Sequence, residues 1–460
     1  MAAQGFTKIR CSLFEENDYI KIAEEVSDWI EEYSVESEQG KYWKQSPETE
    51  HNYDYEALFT PKSLYGGSAG TAIFYIRLYQ VTGNVKYLNE AKAAFEYIAN
   101  TYEGPDFYDF SKNPQSNAEN AWNIEGFITG LYNGPAGGGV LAEYLYDIEP
   151  DEKYRAFSEK AAADIIAGAK TTDNGIYWTD VSDLMSDGGL VLYLLFLYKR
   201  TGNRTYLEAA KSAGDFILSN AIDAEAGKCF ELLKLNELGF SKGKYFPNFS
   251  HGTAGVGYLF ASLYELSKES RYLEIARENA KYIESLAVGD DRGILIPYVD
   301  PPEEELFYLG VCHGPIGTSK LFKKLYQVTG EEHYREVVIR LAGGLIRAHA
   351  PQVHSKGYWN NDCFCCGSPG MLEFFVDMYE FTDDRQYLRL ACESADILIG
   401  NSYEKDGRRR WYSAWSRSAP NKVESYTGLY VGSSGCAASL LRLYGCKNHV
   451  ETVQYPEDLI

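Results

Sequence analysis

Positive charge is scarce in this sequence. Its 460 residues include 44 Lys and Arg against 66 Asp and Glu, which gives a formal net charge of −22. Nucleic-acid backbones and anionic membrane surfaces both attract clustered Lys and Arg, so the acidic excess argues against either partner. We therefore expect no nucleic-acid partner.

Long hydrophobic runs are also missing. A membrane-spanning helix needs roughly 20 apolar residues, whereas the most hydrophobic stretch, residues 188–198, has 11 and is typical of a buried core helix. The first ten residues lack the hydrophobic core of a signal peptide. The sequence thus predicts a cytoplasmic protein that is not an integral membrane protein.

Cysteine is too infrequent for a disulfide scaffold. The chain has nine cysteines, and an odd number in a protein of a reducing compartment argues against structural bridges. Five of them are scattered, but Cys363, Cys365 and Cys366 lie within four residues, and Cys312 directly precedes a histidine. These four positions are where cysteine chemistry is expected.

A cluster of small residues that ends in glycine occurs seven times. Nine residues after each of these reference glycines stands a tyrosine, and seventeen residues after six of them stands another. Such repetition takes precedence over the three domains that the length alone would suggest. The spacing of 52 to 67 residues fits two helices of about four turns and two loops. The reference glycines are Gly70, Gly137, Gly189, Gly255, Gly317, Gly370 and Gly435.

Seven helical hairpins can form an open solenoid or close into a ring. The last repeat lacks a polar capping unit, which an open solenoid needs, and the first helix of each pair is apolar on nearly all sides, as an inner layer requires. We therefore predict an all-α fold, an α/α toroid with seven inner and seven outer helices across residues 61–460. Residues 1–60 are expected to add an outer helix near residues 18–33 and an exposed loop at residues 48–55.

The repeat register brings possible metal ligands together, because residues at equal offsets from the reference glycines share one level of the ring. Cys312 and Cys365 lie five positions before their glycines, whereas His251, His313 and Cys366 lie four before theirs. Thiolates and imidazoles suit Zn²⁺, and three protein ligands with an open fourth position are typical of a catalytic zinc site. We predict Cys312, Cys365 and Cys366 as the ligands; the alternative is that they are small core residues.

Other residues near this level have open roles. His251 is a candidate acid or base, or a core histidine. His313 could be a fourth zinc ligand or a second proton donor. Asp183 is a candidate carboxylate at the same rim, or a solvated loop acid. Cys363 falls two residues too early for the shared register and is read as a bystander, and the repeated tyrosines are read as core residues.

Three motifs carry a resemblance to a known family: Ser-His-Gly-Thr-Ala-Gly in repeat 4, Cys-His-Gly-Pro-Ile-Gly in repeat 5 and Cys-Cys-Gly-Ser-Pro-Gly in repeat 6. Over about residues 60–460 the chain resembles the lanthionine synthetase C-like family, the lanthipeptide cyclases. The resemblance implies an α/α toroid with a central zinc ion. It also implies that Cys312, Cys365 and Cys366 are the ligands, as in a subgroup with three thiolates, and that His251 is the repeat 4 histidine.

The chain departs from the family pattern at several positions. The register places Ser182, not Asp183, where the family has an aspartate in repeat 3. Val311 stands where a Trp often precedes the repeat 5 cysteine, and Tyr308 stands where some members carry an Arg. Roles that depend on the Trp or the Arg are therefore not transferred, and Asp183 is kept as the candidate carboxylate.

The resemblance implies a zinc-dependent cyclase. The reaction adds peptide cysteine thiolates to dehydroalanine or dehydrobutyrine and forms lanthionine or methyllanthionine thioether rings. Its substrate would be a dehydrated precursor peptide, and a separate dehydratase is expected, because the first 60 residues are too short for one. The alternatives are an enzyme of the same family that adds glutathione to dehydrated protein residues, and a non-catalytic binding protein that contains zinc.

Overall fold

The structure, a computed structural model, describes residues 13–45, 62–104, 130–231, 243–302 and 304–458. Within these residues fourteen α-helices alternate between an inner and an outer layer. The inner helices, each beginning at a repeat motif, are α2 (Ser68–Thr82), α4 (Pro135–Ile148), α6 (Asp187–Thr201), α8 (Thr253–Ser267), α10 (Pro315–Thr329), α12 (Ser368–Thr382) and α14 (Ser433–Asn448). The outer helices are α1 (Glu16–Glu31), α3 (Val85–Asn100), α5 (Glu152–Ala167), α7 (Arg204–Ser219), α9 (Ser270–Ser285), α11 (Glu332–Arg347) and α13 (Arg385–Gly400).

Hydrophobic patterning separates the two layers. In α6 every residue from 187 to 197 is buried, so this inner helix is covered on all sides. In the outer helix α9 the buried positions recur every three or four residues, as in Tyr272, Ile275, Ala276 and Ile283, and define one face. The predicted all-α toroid of seven helical hairpins is confirmed. In the described part of the chain, none of the helices is both long and apolar enough to cross a membrane.

The ring closes between the two ends of the chain. Helix α1 packs against α14, and α14 also contacts α2 and α12. Arg77 of α2 is fully buried and spans this junction: its Nη1 donates to Glu373 of α12 at 2.6 Å and to the carbonyl of Ala438 of α14 at 3.0 Å. The first hairpin is therefore tied to the last two. The outer helix expected near residues 18–33 is observed as α1, the loop expected at residues 48–55 lies outside the described residues, and the boundary at residue 60 stays a prediction.

Short antiparallel hairpins complete the connections between helices. Each strand is two to four residues long, and of the six hairpins in the described residues five directly follow an outer helix. They return the chain from the outer layer towards the next inner helix. In chain order, β1 (Ser34–Ser37) pairs with β2 (Gly40–Trp43), β3 (Lys170–Thr172) with β4 (Gly175–Tyr177), β5 (Ile222–Asp223) with β6 (Lys228–Cys229), β7 (Val288–Asp290) with β8 (Gly293–Leu295), β9 (Tyr403–Lys405) with β10 (Arg408–Arg410), and β11 (Ser413–Ala414) with β12 (Val423–Glu424).

Glycine is required at the reference positions because a backbone carbonyl of the preceding loop lies where a Cβ would stand. A Cβ on Gly317 would lie 2.0 Å from the carbonyl oxygen of Val311, and one on Gly370 would lie 2.3 Å from that of Phe364. In both repeats the loop before the inner helix folds back over the first helical turn, and only glycine leaves room for it. This fold-back holds the two residues that follow the carbonyl above the start of the helix. They are Cys312 and His313 in repeat 5, and Cys365 and Cys366 in repeat 6.

The C-terminal segment lies inside the ring. Side chains from several inner helices reach it: Arg77 Nε donates to the carbonyl of Val453 at 2.8 Å, and the Tyr258 hydroxyl donates to the carbonyl of Glu457 at 2.5 Å. The ring of Tyr455 stacks on Phe364, with centroids 3.6 Å apart. Because Phe364 directly precedes Cys365, the tail supports the loop that carries two of the predicted zinc ligands.

Candidate metal centre

Backbone hydrogen bonds link the loops before the inner helices from one repeat to the next. Most of the residues involved lie five positions before a reference glycine, so they share one level, as the register predicts. The chain of bonds connects repeats 2, 1, 7, 6, 5 and 4 in that order. It runs from the Tyr65 N–H to the Tyr132 carbonyl (2.9 Å), from Tyr430 to Tyr65 (2.9 Å), from Cys365 to Tyr430 (3.1 Å), from Val311 and Cys312 to Cys365 (2.8 and 3.2 Å), and from Phe249 to Cys312 (3.1 Å).

Three cysteines meet where the loops of repeats 5 and 6 touch. The sulfur atoms of Cys312, Cys365 and Cys366 all lie within 4.8 Å of one another, and those of Cys312 and Cys366 are 3.4 Å apart. Cys312 and Cys365 are buried, and Cys366 is half-buried. Among the described His, Cys, Asp and Glu side chains, these three cysteines form the group whose ligand atoms lie close enough together to hold a metal ion. These are the three residues predicted as ligands.

The cysteines share their protons unequally. Hydrogen bonds from Cys312 and Cys366 hold the pKa of Cys365 well below its usual range, although burial opposes this. Hydrogen bonding with Cys365 raises the pKa of Cys312 well above its usual value, and hydrogen bonding with Cys312 does the same for Cys366. A divalent cation bound by all three sulfurs would replace these protons, because metals bind the thiolate form. Three closely spaced sulfurs, two of them from buried cysteines, form a soft donor set that fits zinc.

Cys363 lies beside this cluster without joining it. It is buried, and its sulfur accepts a hydrogen bond from the backbone N–H of Cys366 at 3.4 Å. The group of sulfurs within 4.8 Å of one another does not include it. Cys363 lies two positions before Cys365 in the sequence and so misses the shared offset, which agrees with its place outside the group.

A histidine and a carboxylate from different repeats form a second element of the site. His251 Nδ1 lies 2.9 Å from Asp183 Oδ2. Asp183 is fully buried, and its other carboxylate oxygen accepts the N–H of Met185 at 3.0 Å. The carboxylate is therefore not a solvated loop acid. It orients the imidazole, with a proton on Nδ1 and Nε2 directed away from the pair.

His313 lies beside His251 rather than among the sulfurs. The two imidazole rings stack with centroids 5.4 Å apart, and Phe246 and Tyr298 each pack 5.0 Å from His313. Burial and the neighbouring His251 lower the pKa of His313 well below its usual value, so its ring is neutral at pH 7. Its buried Nδ1 has no hydrogen-bond partner in the described structure.

Several residues at the site were not predicted from the sequence. Burial and the neighbouring Cys365 raise the pKa of Tyr65 well above its usual value. Tyr65 stands at the same offset in repeat 1 as the cysteines do in repeats 5 and 6, so the register contained this signal. Tyr308 stacks on Tyr298 at 4.2 Å; burial raises the pKa of Tyr308, and the nearby guanidinium of Arg417, from the loop between β11 and β12, opposes this rise. A guanidinium thus reaches this side of the site from repeat 7.

The solved structure of nisin cyclase confirms the toroid. Nisin cyclase superposes with a TM-score of 0.60 at 16% sequence identity, covering 88% of this chain and 94% of that one. The α-1,6-mannanase GH76A from a Salegentibacter species aligns over 94% of this chain and 100% of its own at 14% identity, with a TM-score of 0.47. At 16% identity the likeness to nisin cyclase concerns the fold alone. No curated protein matches the sequence.

A sequence model of one family matches most of the chain. The model of the lanthionine synthetase C-like proteins covers residues 59–453 and includes all seven repeats with their reference glycines. Together with the toroid, the match confirms the resemblance inferred from the glycine-containing motifs. This chain belongs to the lanthionine synthetase C-like family.

Proposed function

We propose that this protein is a zinc-dependent lanthipeptide cyclase, which closes thioether rings by adding peptide cysteine thiols to dehydroalanine or dehydrobutyrine. The observation that carries the proposal is the meeting of Cys312, Cys365 and Cys366, from two repeats, at one level of the ring. Membership of the family supports the same activity. Three protein ligands suit a site whose fourth position is open to substrate.

The three cysteines hold the metal and set its charge. Zinc bound by them would supply a Lewis acid that lowers the pKa of the substrate thiol, so that its thiolate forms near neutral pH. The three protein thiolates contribute three negative charges against the two positive charges of the ion. The substrate sulfur therefore keeps more electron density than it would beside imidazole ligands, which makes it a better nucleophile.

His251 is the proposed proton donor. Addition of the thiolate to the β-carbon of the dehydro residue creates an enolate, which must be protonated at the α-carbon. Asp183, at 2.9 Å, holds the imidazole in one orientation. His313, with its pKa lowered by burial, carries no charge at pH 7 and is suited to hydrogen bonding with the substrate through its unpaired ring nitrogen.

The substrate follows from this chemistry. The enzyme needs a precursor peptide that already contains dehydrated residues, so we propose that a separate dehydratase acts before it. A cytoplasmic location is proposed, because free thiols on both enzyme and peptide require a reducing compartment.

Alkylation of free thiols tests the proposal. A dehydrated precursor peptide is incubated with the zinc-loaded protein, with protein stripped of metal, and alone; an alkylating reagent is then added, and bound labels are counted by mass spectrometry. We expect alkylatable cysteines to disappear only with the zinc-loaded protein. A parallel reaction supplies glutathione and a dehydrated peptide without cysteine. Glutathione adducts in that reaction, with unchanged label counts in the first, would favour the glutathione-adding alternative.

A further inference from the structure

The ring of Tyr455, in the C-terminal segment, lies against the loop that carries Cys365 and Cys366. It stacks on Phe364, with ring centroids 3.6 Å apart and planes 11° from parallel, and Phe364 directly precedes Cys365. Both rings are buried, with 2% of Tyr455 and 4% of Phe364 exposed. A close stack of two buried rings leaves little room for either ring to move.

Tyr430 connects this stack to the backbone of Cys365. The ring of Tyr430 meets Phe364 edge-on at 5.4 Å and Tyr455 edge-on at 5.2 Å, so the three rings form one buried cluster. The carbonyl of Tyr430 accepts the backbone N–H of Cys365 at 3.1 Å. The cysteine loop is therefore held in two ways, by a hydrogen bond to repeat 7 and by the ring of Tyr455.

Side chains of two inner helices fix the C-terminal segment on both sides of Tyr455. Two residues before it, the Val453 carbonyl accepts from Arg77 Nε at 2.8 Å, and two residues after it, the Glu457 carbonyl accepts the hydroxyl of Tyr258 at 2.5 Å. The Arg77 guanidinium also lies over the Tyr455 ring, 4.9 Å from its centroid. These contacts come from repeats 1 and 4, which carry none of the three cysteines. The position of the ring is thus set independently of the cysteine loop.

The hydroxyl of Tyr455 does not account for the contact with the loop. It is buried and has no hydrogen-bond partner among the described residues. Phenylalanine at this position would keep the ring and remove a buried polar group that lacks a partner, a change that costs little or is favourable. The chain therefore offers a conservative variant that separates the packing of the ring from its polar group.

We propose that Tyr455 is a positioning residue of the metal centre, which holds the loop of Cys365 and Cys366 in place through Phe364. The inference rests on the proposed function in one respect, namely that the cysteines hold zinc. A loop that is already held in place loses less conformational freedom when the metal binds, so the metal binds more tightly. The consequence is that zinc affinity depends on a segment outside the seven repeats.

A matched control is needed because the loss of any buried ring lowers stability. Tyr272, near the start of the outer helix α9, is fully buried, and its hydroxyl donates to Asp215 of α7 at 2.8 Å. Tyr272→Leu removes a buried tyrosine of repeat 4 without touching the cysteine loop. It should lower the free energy of unfolding of the metal-free protein and leave zinc affinity unchanged.

The test measures zinc affinity by competition with a chelator. In Tyr455→Leu we expect the affinity to fall by about tenfold, the lower end of what loss of support for a metal ligand costs. Tyr455→Phe should bind zinc as the wild type does, because the ring and its stack remain. Wild-type affinity in Tyr455→Leu, an equal loss in Tyr455→Phe, or an equal loss in Tyr272→Leu would each overturn the proposal. If Tyr455→Leu fails to fold, Tyr455→Met, which keeps bulk without a flat ring, is judged by the same outcomes.

A double variant tests whether Tyr455 acts through Phe364. Phe364→Leu should lower zinc affinity by a similar factor, and the combination with Tyr455→Leu should bind little more weakly than either single variant, because both remove the same stack. Fully additive losses would contradict this route. The failure of this inference is distinguishable from that of the proposed function. If the wild-type protein binds no zinc, the proposed zinc site fails, whereas zinc binding that is insensitive to Tyr455 removes only this inference.

Discussion

Asp183 and His251 are 68 residues apart in the sequence and belong to different repeats, yet their side chains meet at 2.9 Å. The fully buried carboxylate also accepts the N–H of Met185, so it is held from both sides. A pair of this kind fixes one tautomer and one orientation of the imidazole.

Because Asp183 and His251 form a pair, replacing either residue is expected to reduce the activity to a similar extent. Asp183→Asn and His251→Asn should each slow ring formation by about 100-fold or more, the usual contribution of a positioned acid, while zinc content stays at the wild-type level. The double variant should be little slower than either single variant, because the two residues act as one unit. Rate constants from the alkylation assay, beside metal analysis, check this. Fully additive losses would mean that the pair does not work together.

The cysteine cluster predicts which sulfurs bind metal. Cys312→Ala should weaken zinc binding by more than about 100-fold, since removing a ligand costs more than removing its hydrogen-bond partner, and should abolish ring formation. Cys363→Ala is the matched control, because this sulfur is buried nearby but lies outside the group of three. It should retain stoichiometric zinc. Full zinc content in the Cys312 variant would refute the ligand assignment.

The close contact between the loops of repeats 5 and 6 predicts that zinc binding requires a glycine at position 310, although this residue is not a ligand. A Cβ on Gly310 would lie 2.6 Å from Cα of Cys366 and 2.7 Å from the carbonyl oxygen of Cys365. Gly310→Ala should therefore separate the sulfurs and reduce zinc affinity in chelator competition by about tenfold or more, as loss of ligand positioning does elsewhere. Gly400→Ala, where a Cβ meets nothing within 4 Å, should bind zinc as the wild type does. Equal affinities for both variants would argue against this contact.

A buried carboxyl near the site predicts a pH dependence of stability. Burial raises the pKa of Asp362 to about 6, although Ser368 and Asn401 donate hydrogen bonds to it. The unfolded chain releases this proton near pH 4, and the folded protein holds it until about pH 6. The contribution to stability is therefore complete below pH 4 and is lost as the pH rises through 6.

Asp362→Asn should remove this loss. Above pH 6 the metal-free variant is expected to gain about 3 kcal/mol in the free energy of unfolding over the wild type, since each pKa unit corresponds to about 1.4 kcal/mol. Below pH 4 the two proteins should differ little. Denaturant unfolding at several pH values measures the difference, and a difference that stays constant from pH 4 to pH 8 would rule out this role for Asp362.

The register predicted the fold and the level of the site because glycine and tyrosine recur for physical reasons. The glycines allow a carbonyl to approach within about 2 Å of where a Cβ would stand, as at Gly317. The tyrosines pack the core, as Tyr264 does near the end of α8 and Tyr272 near the start of α9. Equal offsets then placed Cys312 and Cys365 side by side.

Side-chain direction within a loop could not be read from the same offsets. The register favours Ser182, but the local turn directs the neighbouring Asp183 towards His251. The stacking of Tyr65 on Tyr430 depends on how repeats 1 and 7 pack together, which the offsets do not show. The C-terminal segment has no repeat, and its place inside the ring depends on contacts from Arg77 and Tyr258, which are far away in the sequence.

Counting the sulfur neighbours of the bound zinc by X-ray absorption tests the central claim most directly. The zinc-loaded protein should show three sulfurs and one lighter atom, and four sulfurs after addition of a precursor peptide that has free cysteines but no dehydrated residues. That change would mean that Cys312, Cys365 and Cys366 hold the ion with one position open to the substrate thiol. Four protein ligands and no change on adding the peptide would contradict the account.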